Sequence, residues 1–429
     1  MTRRPGKAVL GGLAANAVLV LAACSGNDAA QGPTQLSPTG TRSSSASTGT
    51  TSGSAGAPDT SSPRASAGSP TTPATPPPTA PISLTMVMSG DVLLHEGLWA
   101  TAQHDAERTG RGAMDFRPIL ANMRSVVTGA DLAICHMETP LAPKGGPYSA
   151  YPIFSVPPEI LPALKWEGYD ACTTASNHSI DKGFEGLKRT IADFDRIGLA
   201  HFGTATTKAA SRRPLVVDVR GVKVGLINAT YGTNGIPLPE EAPWSVPLIN
   251  TDKILWMAHR ARLDGARIVI VGLHWGLEYD HEPISDQTSV AETLMASPDI
   301  SFVYGHHAHV VQPYDKVNGK WVVYGLGNAI AQQDTAVTGV YDGNTARVTF
   351  VERPDGSFGV STLEYIPTMI TPYDDADPTG HPMRWLNVPQ DLADPTYAAL
   401  RPQLLATQAR VRQNVNLLGA LKRGVTEGR

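Results

Sequence analysis

The sequence predicts an α/β fold that begins near Ile82. From that point β-rich runs alternate with helical ones, the signature of strands covered by helices. Five of the apolar runs also end in Asp, Glu, Asn or His, an unusual way for a buried strand to finish. In open α/β sheets, sites form outside the carboxyl ends of strands, so these five ends have a physical reason to converge.

The elements follow in order. Residues 83–88 read as a strand ending at Gly90-Asp91, and residues 131–135 as a second ending at His136-Met137-Glu138. Residues 170–174 run into Ala175-Ser176-Asn177-His178. Residues 183–197 place Phe184, Leu187, Ile191 and Phe194 on one helical face, and Asp181 is a candidate N-cap for that helix. Residues 267–271 lead to Gly272-Leu273-His274-Trp275-Gly276, and residues 285–296 are a second helix with Ser285 as a candidate N-cap. Residues 300–304 lead to Gly305-His306-His307-Ala308-His309. Arg353-Pro354-Asp355-Gly356 is the turn of a hairpin that ends near Tyr365. An Asp- and Pro-rich stretch then wraps the surface, and residues 396–421 form a helical tail. His95 reads as a solvated residue at a helix start, the alternative being a place near the site, and Cys135 and Cys172 read as buried free thiols, the alternative being a disulfide outside the cell, because nothing in the sequence fixes their separation.

Composition narrows the class. The chain has 429 residues, 17% of them charged, three Cys and a formal charge of −4. Beyond residue 30 there is no apolar run of the ~18 residues a membrane span needs. The Cys count excludes a disulfide-dense scaffold, and the charge gives no footprint for nucleic acid.

The first 81 residues form an address and a tether. Arg3, Arg4 and Lys7 precede an apolar stretch that closes on Leu21-Ala22-Ala23-Cys24. That pattern resembles a bacterial lipobox, which implies cleavage after residue 23 and lipidation of Cys24. An uncleaved anchor helix and a twin-arginine signal are the alternatives. Cleavage removes three cations and no acid, so the charge moves from −4 to −7 (32 minus 39). A lipid anchor would place the protein on the extracytoplasmic face of the cell membrane. Residues 24–81 are almost entirely Ser, Thr, Pro, Gly and Ala, too apolar-poor to repay the entropy of ordering. They read as a disordered spacer with a reach of roughly 40 Å.

The polar strand ends suit divalent metals. Carboxylates, an Asn carbonyl and neutral imidazoles are ligands for Mn, Fe and Zn. Two such ions ~3.5–4 Å apart can activate a water and clamp a phosphoryl group. In extended backbone, His307 and His309 project to one side.

The order Gly90-Asp91, Met137-Glu138-Thr139-Pro140, Asn177-His178-Ser179-Ile180-Asp181-Lys182-Gly183, His274-Trp275-Gly276-Leu277-Glu278-Tyr279, Gly305-His306-His307-Ala308-His309 and Tyr324-Gly325-Leu326-Gly327-Asn328 resembles the CapA family of bacterial capsule and poly-γ-glutamate synthesis. The resemblance covers residues 83–350 and implies a calcineurin-like metallophosphatase fold, a two-sheet β-sandwich flanked by helices in four layers, spanning residues 82–370 and followed by the C-terminal residues 371–429. It further implies two divalent ions held by Asp91, Glu138, Asn177, His274, His307 and His309, with His178 as general acid or transition-state stabiliser. His306 can take the place of His307. Glu278 and Tyr279 are candidate substrate contacts. Two departures stand out. His136 replaces an Asn common in the family and is an extra ligand, a supporting group or an exposed residue, and Ser176 replaces the first of two Asn.

Three functional readings follow. The first is a metal-dependent hydrolase of a phosphoester or amide. The second is an accessory of a polyglutamate synthase complex. The third is a metal-binding polymer-recognition module without turnover. A mature charge of −7 gives no global attraction for a polyanion, so recognition of one needs the metals or a local basic groove.

Overall fold

The computed structural model describes residues 80–374 and 382–429. The signal segment, Cys24, nearly all of the tether and residues 375–381 lie outside the described residues. The strands are β1 (Ser83–Val92), β2 (Leu132–Met137), β3 (Ala171–Thr173), β4 (Ala200–Phe202), β5 (Leu215–Val219), β6 (Val222–Thr230), β7 (Ile268–His274), β8 (Phe302–His306), β9 (Tyr314–Val317), β10 (Lys320–Val323), β11 (Asn328–Ile330), β12 (Asp342–Glu352), β13 (Phe358–Ile370), β14 (Trp385–Asn387) and β15 (Thr426–Glu427). The helices are α1 (Glu96–Thr109), α2 (Arg117–Leu120), α3 (Arg124–Thr128), α4 (Ile160–Glu167), α5 (Gly183–Ile197), α6 (Thr251–Leu263), α7 (Ser285–Ala296), α8 (Val388–Asp391) and α9 (Arg401–Val415). Among the described residues no helix is long and apolar enough to cross a membrane.

Two sheets result. The first runs β14-β13-β12-β1-β2-β3-β4, with β11 beside the end of β1 and β15 beside β13; the second runs β5-β6-β7-β8-β10-β9. The period-2 alternation of β1 explains how they stack. Leu84, Met86 and Met88 face the second sheet and pack with Val224, Ile270 and Phe302. Val87 faces the other way, into a core with Leu98, Ile119 and Leu164 from α1, α2 and α4. On the far side of the second sheet, Val269, Val271 and Val303 pack against Ile254 and Ala258 of α6 and Leu294 of α7. Helices, sheet, sheet and helices therefore make four layers. Each fully buried apolar side chain contributes about 1.5–3 kcal/mol.

The stacking brings the carboxyl ends of parallel strands to one rim. Asp91 of β1 is in register with His136 of β2, and His274 of β7 with His306 of β8. Gly90 is required where β1 meets the turn before β11, because a Cβ there would lie 2.1 Å from the Gly327 carbonyl oxygen. The hairpin of β12 and β13 turns at residues 353–357, where Gly356 N–H donates to Arg353 O. The C-terminal region supplies two strands, β14 and β15, to the first sheet, and α9 is tied to β12 by Arg410 and Thr407 bonding Asp342.

Several local expectations need correction. Cys135 and Cys172 are register partners on adjacent parallel strands, with Cα atoms 4.4 Å apart, and form a disulfide. Asp181 does not cap α5: its Oδ2 accepts from Phe154 N–H (2.8 Å) and bonds His178 Nδ1 (2.8 Å), while Lys182 occupies the cap. Ser285 is the first helical residue of α7, and Gln287 reaches back to Ile284 N–H. His95 is half-buried, with its ring edge-on to Phe154 and Nδ1 within hydrogen-bond distance of Leu93 O. Desolvation drops its pKa to about 4.

Two stability predictions follow. Replacing both Cys135 and Cys172 by Ala opens a covalent ring with a separation of 37 residues. It should cost about 3–4 kcal/mol in urea denaturation, and reductant should leave the variant unchanged. Glu167 ends α4 fully buried, with neither carboxylate oxygen hydrogen-bonded among the described residues. Burial pushes its pKa up to about 8 against the opposing Arg124 charge. The folded chain thus keeps a proton that the unfolded chain loses near 4.5, and stability from this group falls as pH rises from about 4.5 to 8. Between pH 6 and 9 the native protein should lose about 2–3 kcal/mol more than Glu167→Gln. Parallel pH profiles would overturn this.

Candidate metal centre

The rim is built from short polar segments attached to apolar strands. Asp91 closes β1 and is fully buried. His306 Nδ1 lies 2.6 Å from its Oδ1, and His307 N–H donates to its Oδ2 at 3.2 Å. Burial opposes ionisation, yet the His306 contact and imidazole charges hold Asp91 well below the usual carboxylate range. His309 Nδ1 sits 3.3 Å from Asp91 Oδ2 and 3.0 Å from Asn328 Oδ1. Although burial opposes it, the Glu138 and Asp91 carboxylates hold the His309 imidazolium up to about 9.

Glu138 is the second buried acid, and both its oxygens lack a hydrogen-bond partner among the described residues. Burial, opposed by His309 and reinforced by Asp91, raises its pKa well above normal. His274 Nε2 and His309 Nε2 each lie 3.8 Å from Glu138 Oε1. His274 Nε2 is also 2.8 Å from Asn177 Oδ1, while its Nδ1 is 3.0 Å from His136 Nε2. Burial and neighbouring imidazoles push His136 and His274 well below their ordinary range. His307 falls to about 3, chiefly by burial. Neutral imidazoles are the form that binds metal.

The donors fall into three overlapping groups whose ligand atoms lie within 4.8 Å of one another: Asp91, His136 and His306; Asp91, Glu138 and His309; and Glu278, His307 and His309. Asp91 joins the first two and His309 the last two. Orphaned buried atoms (both Glu138 oxygens, His306 Nε2 and His307 Nδ1) leave lone pairs with no protein partner. This donor set fits a divalent cation.

His306 and His307 both face the cluster, in different groups. His136 is not exposed; it is fully buried, stacked on His306 at 4.1 Å and bonded through Nδ1 to Thr173 Oγ1. Ser176 donates to Glu138 O at 2.5 Å and accepts from His178 N–H, so it ties two site loops together. His178 is held by Asp181, which fixes Nδ1 as the donor and leaves Nε2 to exchange a proton. Glu278 and Tyr279 are exposed at the mouth, Tyr279 with its ring 6.3 Å from His309. His307 and His309 have φ of 90° and 55°, left-handed backbone that non-Gly residues rarely hold without a functional reason.

Three participants were given no role in the sequence reading. Tyr231, just after β6, lays its ring 4.4 Å from His307 and is 46% exposed, which makes it part of the mouth. Asn328 anchors His309, and Asn234 accepts from Asn177 Nδ2. The Gly-Asn motif at 327–328 was the one available signal. Tyr231 had none.

Residues 85–333 match the family described as bacterial capsule synthesis protein PGA_cap. The chain is 28% identical over 259 residues to the capsule biosynthesis protein CapA of Bacillus anthracis, covering 58% of this chain and 60% of that one. It is 28% identical over 177 residues to the PGA biosynthesis protein CapA of Bacillus subtilis, covering 41% and 46%. A probable polyglutamine synthesis accessory protein of Mycobacterium tuberculosis is 25% identical over 288 residues, covering 58% and 75%. The matches to the two CapA proteins thus span 60% and 46% of those relatives' lengths. Among solved structures, similarity extends to a phosphatase from Mycoplasma pneumoniae (13% identity, TM-score 0.42, 67% of this chain and 94% of that one). It also extends to the calcineurin-like phosphoesterase YfkN of Bacillus subtilis (14% identity, TM-score 0.35, 78% and 98%). These structural likenesses are distant, and the metal-centre argument stands on the side chains. The family match takes in Asp91, Glu138, Asn177, His274 and the histidines at 306, 307 and 309, and the chain belongs to the bacterial capsule synthesis family PGA_cap.

Proposed function

We propose that the protein is a metal-dependent hydrolase that cuts a phosphoester or amide during capsule or poly-γ-glutamate synthesis. It works as a lipoprotein anchored through Cys24 on the extracytoplasmic face of the membrane, beside a polyglutamate synthase complex. The observation that carries the chemistry is Glu138: a fully buried carboxylate with two unpartnered oxygens, ringed by Asp91 and imidazoles. Such a cluster is costly unless a cation replaces the missing partners.

Two divalent ions, Mn, Fe or Zn, fit the overlapping groups. Asp91, His136 and His306 would hold one, and Glu278, His307 and His309 the other, with Glu138, Asn177 and His274 completing the donor set. Bound there, they supply Lewis-acid polarisation and a sink for the charge that develops on the reacting oxygen. The chain's own residues do the rest. Asp181 orients His178 so that Nε2 delivers or removes a proton. Tyr231 and Tyr279 form an aromatic mouth that positions the substrate and restricts water.

A recognition module without turnover is the second reading, and the word accessory in the mycobacterial relative's name favours it. Two measurements separate these ideas. Purified protein should carry roughly two transition-metal ions by mass spectrometry, and Asp91→Ala combined with His309→Ala should lose them. Protein that stays metal-free after reconstitution would sink the hydrolase. His178→Gln should keep its metal yet lose about 10²–10⁴-fold in turnover on a panel of phosphoesters and γ-glutamyl peptides. Unchanged turnover would remove His178 from the reaction, and no turnover by the native protein on any panel member would favour the recognition module.

A further inference from the structure

The exposed edges of the two sheets, β4 and β5, border a cleft of about 950 Å3. Its walls carry Lys208, Arg212 and Arg213 from the segment between those strands, Lys253 from α6, and two tryptophans, Trp244 and Trp256. No Asp or Glu is among the lining residues. Among the described residues no charged head of these four cations has an ion-pair or hydrogen-bond partner, although Lys253 N–H donates to Asn250 Oδ1 and the chain as a whole is acidic. Trp256 is 48% exposed, an unusual state for the largest apolar side chain. The cleft reaches the metal centre's support structure through Asn228, whose Oδ1 accepts from Ala175 N–H two residues before Asn177.

We infer that this cleft binds a polycarboxylate chain, an acidic polyamide of the capsule type, at a place separate from the metal centre. The inference rests on the capsule-polymer reading above and names where the polymer is held. Four uncompensated cations in a concave site create a local positive field that the net charge conceals. Three lie along the segment between β4 and β5, at positions 208, 212 and 213, and the fourth, Lys253, comes from α6. Basic residues on two elements of one cleft suit charge distributed along a chain. Trp244 and Trp256 on the same walls suit the methylenes that alternate with carboxylates in a glutamate polymer. A polyphosphate offers no such apolar stretches.

The test is fluorescence anisotropy of labelled poly-γ-glutamate titrated with the full chain. The expected result is saturable binding that weakens with salt, falls at least tenfold in the combined variant Lys208→Gln, Arg212→Gln, Arg213→Gln and Lys253→Gln, and is unchanged in EDTA. Thermal melting checks that the variant folds, and Trp256→Ala, a single half-exposed change, supplies a second weakened variant if it does not. Equal binding by native and charge-neutralised protein, loss of binding in EDTA, or no binding at all overturns the cleft. Polyphosphate of equal charge that competes more tightly overturns the polycarboxylate assignment. Metal content and small-substrate turnover use none of these four side chains, so they judge the hydrolase reading independently.

Discussion

Two carboxylates, Asp91 and Glu138, are buried in one cluster, and most of the architecture is an answer to that constraint. Neither sheet can satisfy it alone. Asp91, His136 and Glu138 come from the ends of β1 and β2, whereas His274 and His306 come from the ends of β7 and β8. The apolar face shared by the two sheets sets the distance between these ends, so packing around Met86, Ile270 and Phe302 is also what holds the donors together. The charges of Glu138 and Asp91 favour the imidazolium form of His309, which partly compensates them. A divalent ion would take over that role.

The same constraint explains the strained loop at 307–309. A regular strand would continue the alternation of β8 and send every second side chain into the sheet core. Left-handed backbone at His307 and His309 breaks that rhythm and lets three histidines in four positions face one cluster. The adjoining loop after β7, with Tyr279 also at positive φ, donates from Tyr279 N–H to Ala308 O and braces the turn.

The strand ends were legible because polar residues in apolar runs violate the expected pattern, and α5 because Leu187, Ile191 and Phe194 recur at helical spacing. What stayed illegible was tertiary. The Cys135–Cys172 pairing depends on β2 and β3 being neighbours in register, which no local signal states. Asp181 has the spacing of a cap, but a buried imidazole and a backbone N–H compete for it and win. His95 looks like a surface residue until Phe154 covers it. β14 and β15 are three and two residues long, too short for any periodicity to show. The basic cleft was invisible for a related reason, since Lys253 is far in sequence from Lys208 and only the fold makes them neighbours.

The disulfide has a topological consequence. Glu138, the loop around the exposed Lys144 and Tyr151, and all of α4 lie inside the ring that Cys135 and Cys172 close. Exposed loop tips are where proteases cut first. A nick in that loop would leave both pieces joined through sulfur, and Glu138 still only three residues from its anchor. Glu138 is therefore carried on a segment that a single cut in this loop cannot release.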